Sequence, residues 1–481
     1  MRLAVIQRVL GVFLVLFSLT MIPPALLSIW FHDGELRHFL YSLLLTLSTG
    51  TLFWLPVRRA SGNLRTREAF IIVTMFWVLL GLLSSLPLVL GAHLDLTDAA
   101  FEAVSAFTTT GATVIVGIDH LPPSILFYRQ QLQWFGGMGV VVLAVAILPM
   151  LGVGGMQLYR AETPGPMKDE KITPRISQSA RALWGVYFGI TALCALGYWL
   201  AGMSLFDAIA HSFSTISTGG FSTHDASLGY YNNPAIEVVA DIFMLAGGIN
   251  FSIHYLALRG RNPLSYWRDP EVRTFLLVVA ALILVIAATL DWEGTYDGFL
   301  PSLRYAAFEV SSVITSTGFG IADFSIWPLF VPVLLILSSF MGGCAGSTAG
   351  GIKAIRFLIL TKEGRRDIQR LVHPNMIRPL TVGGRPVPER VIDAVWGFFS
   401  VYVAVFSLIM LAVMATGLDH VTAFGAVATC MNNLGPGLGE VASNFVSVNA
   451  PAKWLLTLAM LLGRLELFTL FVLFIPDFWR S

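Results

Sequence analysis

The sequence predicts an all-α membrane protein, one chain with a pseudo-fourfold internal repeat of span, half-length helix, glycine loop and second span, preceded by two extra N-terminal helices. Three observations carry this prediction. Hydrophobic residues fill 56% of the 481 positions and charged residues only 12%, about half the roughly 25% usual in soluble domains. A chain this apolar has room for many spans of roughly 20 residues and for no soluble domain of ordinary size. Basic residues concentrate in alternate connecting segments, and a loop of small residues recurs four times.

Apolar runs of spanning length fall at 10–30, 39–57, 69–91, 126–152, 183–202, 235–257, 274–290, 326–341, 391–417 and 453–476. The first continues through Pro23 and Pro24 to Trp30, too long for a secretory signal, and is expected to be a retained span. With the N-terminus in the cytoplasm, the inner segments hold Arg2, Arg8, four Lys/Arg in 58–67, five in 160–182, four in 258–273, nine in 353–390, and Arg480, together 25 of 30. The reverse orientation would oppose the positive-inside rule. A multi-pass membrane protein with both termini cytoplasmic is therefore expected. Lys+Arg and Asp+Glu balance at 30 against 29, which gives no reason to expect nucleic acid as a partner. Cys194, Cys344 and Cys430 show no metal-binding or redox spacing and are expected to be reduced and structural.

The recurring loops read SAFTTTGATV (105–114), FSTISTGGFS (213–222), SVITSTGFGI (312–321) and TCMNNLGPGL (429–438). Aligned on Gly111, Gly219, Gly318 and Gly435, they lie 108, 99 and 117 residues apart, a fourfold repeat. The boundaries follow as an N-terminal extension 1–62 and repeats 63–165, 166–262, 263–372 and 373–481. Any one loop reads equally as an ordinary turn, but turns need not recur in register. Irregular backbone at membrane depth survives only when buried in protein or lining a water-filled path. Glycine lets successive carbonyls turn one way, and Thr or Ser hydroxyls add oxygen ligands suited to a dehydrated alkali cation. The half-helices would point their partially negative C-terminal ends at it.

With these loops the chain resembles the Trk-type potassium uptake proteins, the TrkH/TrkG branch of the Trk/Ktr/HKT superfamily, over essentially its whole length. The resemblance implies four unlike K⁺-channel-like membrane–pore–membrane units, with Thr110, Gly111, Thr218, Gly219, Thr317, Gly318, Asn433, Leu434 and Gly435 as selectivity filter and the four glycines coordinating K⁺. The fourth loop, NNLGPG, departs from the Thr-Gly pattern, so its share of ligation is the weakest. K⁺ and Rb⁺ are expected to be favoured over Na⁺ and Li⁺, less sharply than in a tetrameric K⁺ channel, because each glycine signature is short. The two extra helices favour the TrkH branch over the Ktr type. The family also implies a homodimer, contact with membrane lipid, and a cytosolic TrkA-type ring that binds NAD(H) and adenine nucleotides, so that no cofactor belongs to this chain itself.

The span near 326 breaks into SSFMGGCAGSTAGGIKAIRF, with five glycines between 342 and 351, a density through which a helix does not persist. Close helix packing is one account. The other is an intramembrane gating loop, and Gly342, Gly343, Gly346, Ser347, Thr348, Gly350, Gly351 and Lys353 match the family's loop. Arg464 stands mid-span, roughly 18 Å from either end at helical rise. An intramembrane charge usually faces a pathway, and the family implies a barrier and loop anchor here, with a structural ion pair as the alternative. Glu102 and Glu309 precede their glycines by nine residues, where Ala210 and Ala426 stand in the other repeats. They read either as carboxylates bracing the half-helices or as interfacial residues. Asp119, Asp225, Asp323 and Glu440 follow the glycines and could concentrate cations at an outer mouth.

An enzyme would need a nucleophile, base or metal set, and no HExxH, GxSxG or paired-His spacing occurs; GPGLGE at 435–440 follows no strand. A cation-coupled K⁺ symporter using H⁺ or Na⁺ is the serious alternative, since broken helices also build carriers. Carriers usually show inverted halves, whereas these four units share one orientation.

Overall fold

The computed structural model describes residues 2–60, 65–139, 176–376 and 378–480. Two N-terminal helices, Leu3–Phe31 with a short 3₁₀ turn inside it and Leu36–Val57, form an antiparallel hairpin. Gly11 and Gly50 let their backbones touch: a methyl on Gly11 would sit 2.6 Å from Trp54 N, and one on Gly50 2.7 Å from Val15 N. Small residues at such crossings substitute van der Waals contact for the hydrophobic drive that lipid does not supply.

Four units follow. Each has a first span (Arg67–Leu90, Ile176–Leu200, Pro270–Trp292, Glu389–Ala415) and a half-helix (Leu96–Phe107, Leu205–Ile216, Phe299–Ile314, His420–Asn432). The half-helices start where an Asp or Ser caps a backbone N–H three residues on, as Asp95 does for Asp98, Ser204 for Asp207 and Asp419 for Thr422; Gly298 opens the third without such a cap. Side-chain caps of this kind hold the orphan donors of a helix start. Each half-helix ends in its loop, and the chain returns through a second span.

Three of the four second spans depart from a straight membrane helix. In the first unit Pro123–Met138 is described, and the rest of the expected span, with most of the basic segment 160–182, falls in 140–175, outside the described residues. In the second, Pro234–Gly248 turns by 102° into Phe251–Gly260; in the fourth, Ala450–Arg464 turns by 103° into Phe468–Phe474. In the third, Val331–Met341 ends at the glycine-rich loop, and the chain re-enters a helix at Ala354–Val372. Composition marks only the third break. The second is made by Asn250, which caps the new helix by accepting from Ser252 N at 2.8 Å, and the fourth by the left-handed backbone of Glu466 and Leu467 (φ 52° and 50°).

The largest apolar core joins the N-terminal hairpin to the first and fourth units, and two further clusters lie around the second and third. A small separate core packs Ile355 and Ile359 against Leu380, Val382 and Val387, beside a two-stranded hairpin, Thr381–Val382 with Arg385–Pro386, that turns through Gly383 and Gly384, both at positive φ.

Candidate functional site

The four loops repeat one hydrogen bond at one length. The backbone N–H of Thr110 donates to Ser105 O, Gly219 to Ser214 O, Thr317 to Ser312 O and Leu434 to Thr429 O, each at 2.8 Å. The residue before each of these is left-handed, Thr109, Thr218, Ser316 and Asn433 at φ 52–57°, and the residue after is a glycine at positive φ, Gly111, Gly220, Gly318 and Gly435 at 77–99°. The second loop therefore sits one residue away from the register set by aligning glycines: Gly219 occupies the place of Thr110, Thr317 and Leu434, and the glycine in line with Gly111, Gly318 and Gly435 is Gly220. The adjacent pair in STGGFS leaves the choice open to sequence; the backbone bond decides it. With the same shift, His211 and not Ala210 holds the place of Glu102 and Glu309.

The loops close into a ring. A methyl added to Gly111 would collide with Gly219 O, one on Gly220 with Thr317 O, one on Gly318 with Leu434 O, and one on Gly435 would lie 2.9 Å from Thr110 O. Each glycine thus yields its Cβ space to the carbonyl oxygen of the next loop, and four equivalent carbonyls gather around one axis. Thr110, Thr218, Thr317 and Asn433 are all wholly buried. Thr108 and Thr110 share a hydroxyl hydrogen bond of 2.8 Å, Thr315 and Thr317 one of 2.7 Å, and Asn433 Nδ2 reaches from the fourth loop to Thr110 Oγ1 at 2.9 Å. Oxygen dipoles fixed in this way can replace part of a cation's hydration shell.

Side chains placed nine residues before the ring glycines hold the returning strands. Glu102 accepts from Val114 N at 2.9 Å and from both Nε and Nη2 of the buried Arg129 at 2.9 and 2.7 Å; Glu309 accepts from Ile321 N and Ala322 N; His211 Nε2 meets Ser222 Oγ at 2.9 Å. Ala426 has no such reach, and the fourth strand is held by its own backbone, Gly437 N to Val441 O. Gln133, from the second span of the first unit, donates to Gly219 O at 2.6 Å and accepts from Phe221 N at 3.1 Å. Sequence reasoning passed over Arg129 and Gln133, although RQQLQ inside an apolar run was a readable signal of buried polar work.

The outer acids are tied rather than free. His224 Nδ1 donates to Asp119 at 2.6 Å, Asp225 accepts from Gly117 N at 3.0 Å, and His224 stacks on Tyr230 with ring centroids 3.6 Å apart. These contacts join the first and second loops, and the His224 hydrogen bond holds the Asp119 carboxyl below its usual range. Asp323 caps a short turn by accepting from Ser325 N.

The expected gate residues Gly342, Gly343, Gly346, Ser347, Thr348, Gly350, Gly351 and Lys353 form one irregular segment against the C-terminal ends of the half-helices. Thr348 Oγ1 donates to Ile216 O at 2.8 Å and Gly350 N to Ser316 Oγ at 2.6 Å, while a methyl on Gly350 would strike Asn432 O. The same segment docks on the broken second span of the second unit, through Cys344 N to Gly248 O (2.8 Å) and Phe251 N to Gly346 O (3.1 Å). Lys353, at φ 84°, turns the chain into the next helix and donates to Ala349 O. Arg464 completes the cluster: it donates to Thr348 O at 3.1 Å, to Gly137 O at 2.8 Å and to Gly136 O, and lies over the Trp77 ring. Its fork therefore bridges the segment to the first unit through backbone carbonyls, and Glu466 pairs with Arg356 at 2.6 Å.

A bundle of apolar spans around a ring of four re-entrant loops defines the class as a membrane transport protein. The chain belongs to the TrkH family of cation transport proteins, which matches residues 36–481. It is 53% identical to the Trk system potassium uptake protein TrkH of Salmonella typhimurium over 483 residues, all of both chains, and 43% identical to TrkG of Escherichia coli K12 over 99% of each. The crystal structure of the potassium transporter TrkH from Vibrio parahaemolyticus superposes with a TM-score of 0.91 at 50% identity, covering 100% of both chains.

Proposed function

We propose that this chain takes up K⁺, and Rb⁺ in its place, across the bacterial inner membrane by channel-like conduction through the ring of four loops, with both termini cytoplasmic. The observation that carries this reading is the ring itself, in which each glycine makes room for the carbonyl of the next loop. The single short glycine signature of each loop supports a K⁺ preference weaker than that of an extended filter. The segment 342–353 with Arg464 acts as the gate, since it lies across the half-helix ends on the ion's path. A homodimer and a cytosolic nucleotide-binding ring of the TrkA type complete the proposed assembly. The test is a reversal-potential measurement on purified protein in planar bilayers with K⁺ and Na⁺ on opposite sides. The expected result is a potential displaced toward the K⁺ equilibrium value, with current persisting when no H⁺ or Na⁺ gradient is present. A potential blind to the exchange of K⁺ for Na⁺ would overturn the filter reading, and flux strictly tied to a second cation would replace the channel by a symporter.

A further inference from the structure

Glu271 is the second residue of the span Pro270–Trp292, and it touches the glycine-rich segment that follows it by more than seventy positions in sequence. Asp269 caps this span by accepting from Glu271 N and Val272 N, both at 2.9 Å, which fixes where the Glu271 side chain starts. From there Oε1 accepts two backbone donors, Ala345 N at 2.7 Å and Ile355 N at 3.1 Å. The residue is 8% exposed.

The two donors belong to different elements. Ala345 lies inside the segment 342–353; Ile355 lies in the first turn of the helix Ala354–Val372, whose leading N–H groups have no partner within the helix. A carboxylate there satisfies an orphan donor and the positive end of the helix dipole together, and its bonds are charge-assisted. Ala345 also packs on the small core built from Ile355, Ile359 and Leu380. Moving the helix therefore strains both hydrogen bonds at once. The glutamates that open the first and fourth units take other partners: Glu68 accepts from Arg2 N and Arg65 N, and Glu389 pairs with Arg366. Glu271 reaches inward to the loop.

We propose that Glu271 is a positioning residue that latches the closed segment 342–353 to the helix Ala354–Val372, so that displacement of this helix frees the loop. The proposal rests on the reading of that segment as the gate. The protein carries its own reporter, because Cys194, Cys344 and Cys430 are all free and buried and Cys344 adjoins the latched amide. Full-length protein in lipid nanodiscs is treated with a small methanethiosulfonate reagent and the rate at each cysteine is read by mass spectrometry, alongside Rb⁺ flux in proteoliposomes. Glu271→Ala removes both hydrogen bonds and is expected to speed modification of Cys344 about tenfold, the scale of losing the one to the adjoining Ala345 N–H, with Cys194 and Cys430 unchanged and flux raised. Glu271→Gln keeps an acceptor of the same reach without its charge and is expected to give about a two- to threefold change. An unchanged Cys344 rate in folded Glu271→Ala, or equal acceleration at all three cysteines, would overturn the latch. Should Glu271→Ala not fold, a native Cys344 rate in Glu271→Gln overturns it equally. Faster Cys344 labelling with unaltered flux keeps the latch and removes the gate reading; raised flux on shortening the loop, with Cys344 unmoved in Glu271→Ala, does the reverse.

Discussion

Gly219 and Gly220 are neighbours with different tasks, and the difference is measurable. Gly220 sits at φ 77° and a methyl there would overlap Thr317 O, so a side chain meets both the left-handed penalty of roughly 1–2 kcal/mol and a clash inside the ring. Gly219 stands where the other loops carry Thr110, Thr317 and Leu434, and its Cβ would press on the Gln133 side-chain amide. Gly220→Ala should therefore abolish the preference for Rb⁺ over Na⁺ in competitive uptake, while Gly219→Ala keeps a reduced preference. The opposite ranking would return the second loop to the register suggested by aligning glycines. By the same reasoning Gly318→Ser is more damaging than Gly435→Ser, because the methyl position at Gly435 still has 2.9 Å to its nearest oxygen while that at Gly318 falls inside Leu434 O.

Among the elements, the broken second spans divide into one that composition announces and two that it hides. Glycine density marks 342–351, whereas the turn at Gly248–Asn250 depends on a cap and that at Arg464–Leu467 on backbone angles, neither of which changes the hydropathy of the run. The half-helices were legible because their amphipathic stretches recur at fixed distance from the loops; Glu271 was not, because its partners lie in another element and only folding brings them together. Arg464 belongs with the legible features, yet its role turns on geometry. Its guanidinium holds Thr348 O and Gly137 O with separate nitrogens, a two-armed grip that an ammonium cannot reproduce. Arg464→Ala should raise basal Rb⁺ efflux from proteoliposomes several-fold, and deletion of three residues from 342–351 should do the same. Arg464→Lys separates anchor from barrier: efflux close to that of Arg464→Ala is expected, and native efflux would show that positive charge alone closes the path.

For the whole molecule, the alternation of basic and acidic segments and the fourfold spacing were readable because they are averages over many residues, which survive any local error. The pairings inside 353–390 were not, since nine like charges in sequence say nothing of which are already neutralised. Arg366 is buried between Glu363 and Glu389, at 2.7 and 2.9 Å, and these carboxylates, Glu389 foremost, push its pKa up. It fastens the helix Ala354–Val372 to the start of the next span and is no docking charge. Arg365 is exposed, and Arg370 makes a loose surface pair with Asp367 at 3.5 Å, the kind worth little to stability. Near them Ile368, Leu371 and Val372 are 66%, 84% and 70% exposed, an apolar and basic helix end of the sort that marks a protein contact. The proposed cytosolic ring would grip this end and pull through Ala354–Val372 on the loop that Glu271 holds. Arg365→Glu with Arg370→Glu is therefore expected to abolish the nucleotide dependence of flux when the ring is added, with K⁺ over Na⁺ preference and melting temperature unchanged. Arg366→Glu alone should instead lower the melting temperature whether or not the ring is present, because it sets a third carboxylate beside Glu363 and Glu389. A nucleotide response retained in the Arg365/Arg370 double variant would move the contact to 258–273 or 160–182, the other strongly basic segments of the sequence.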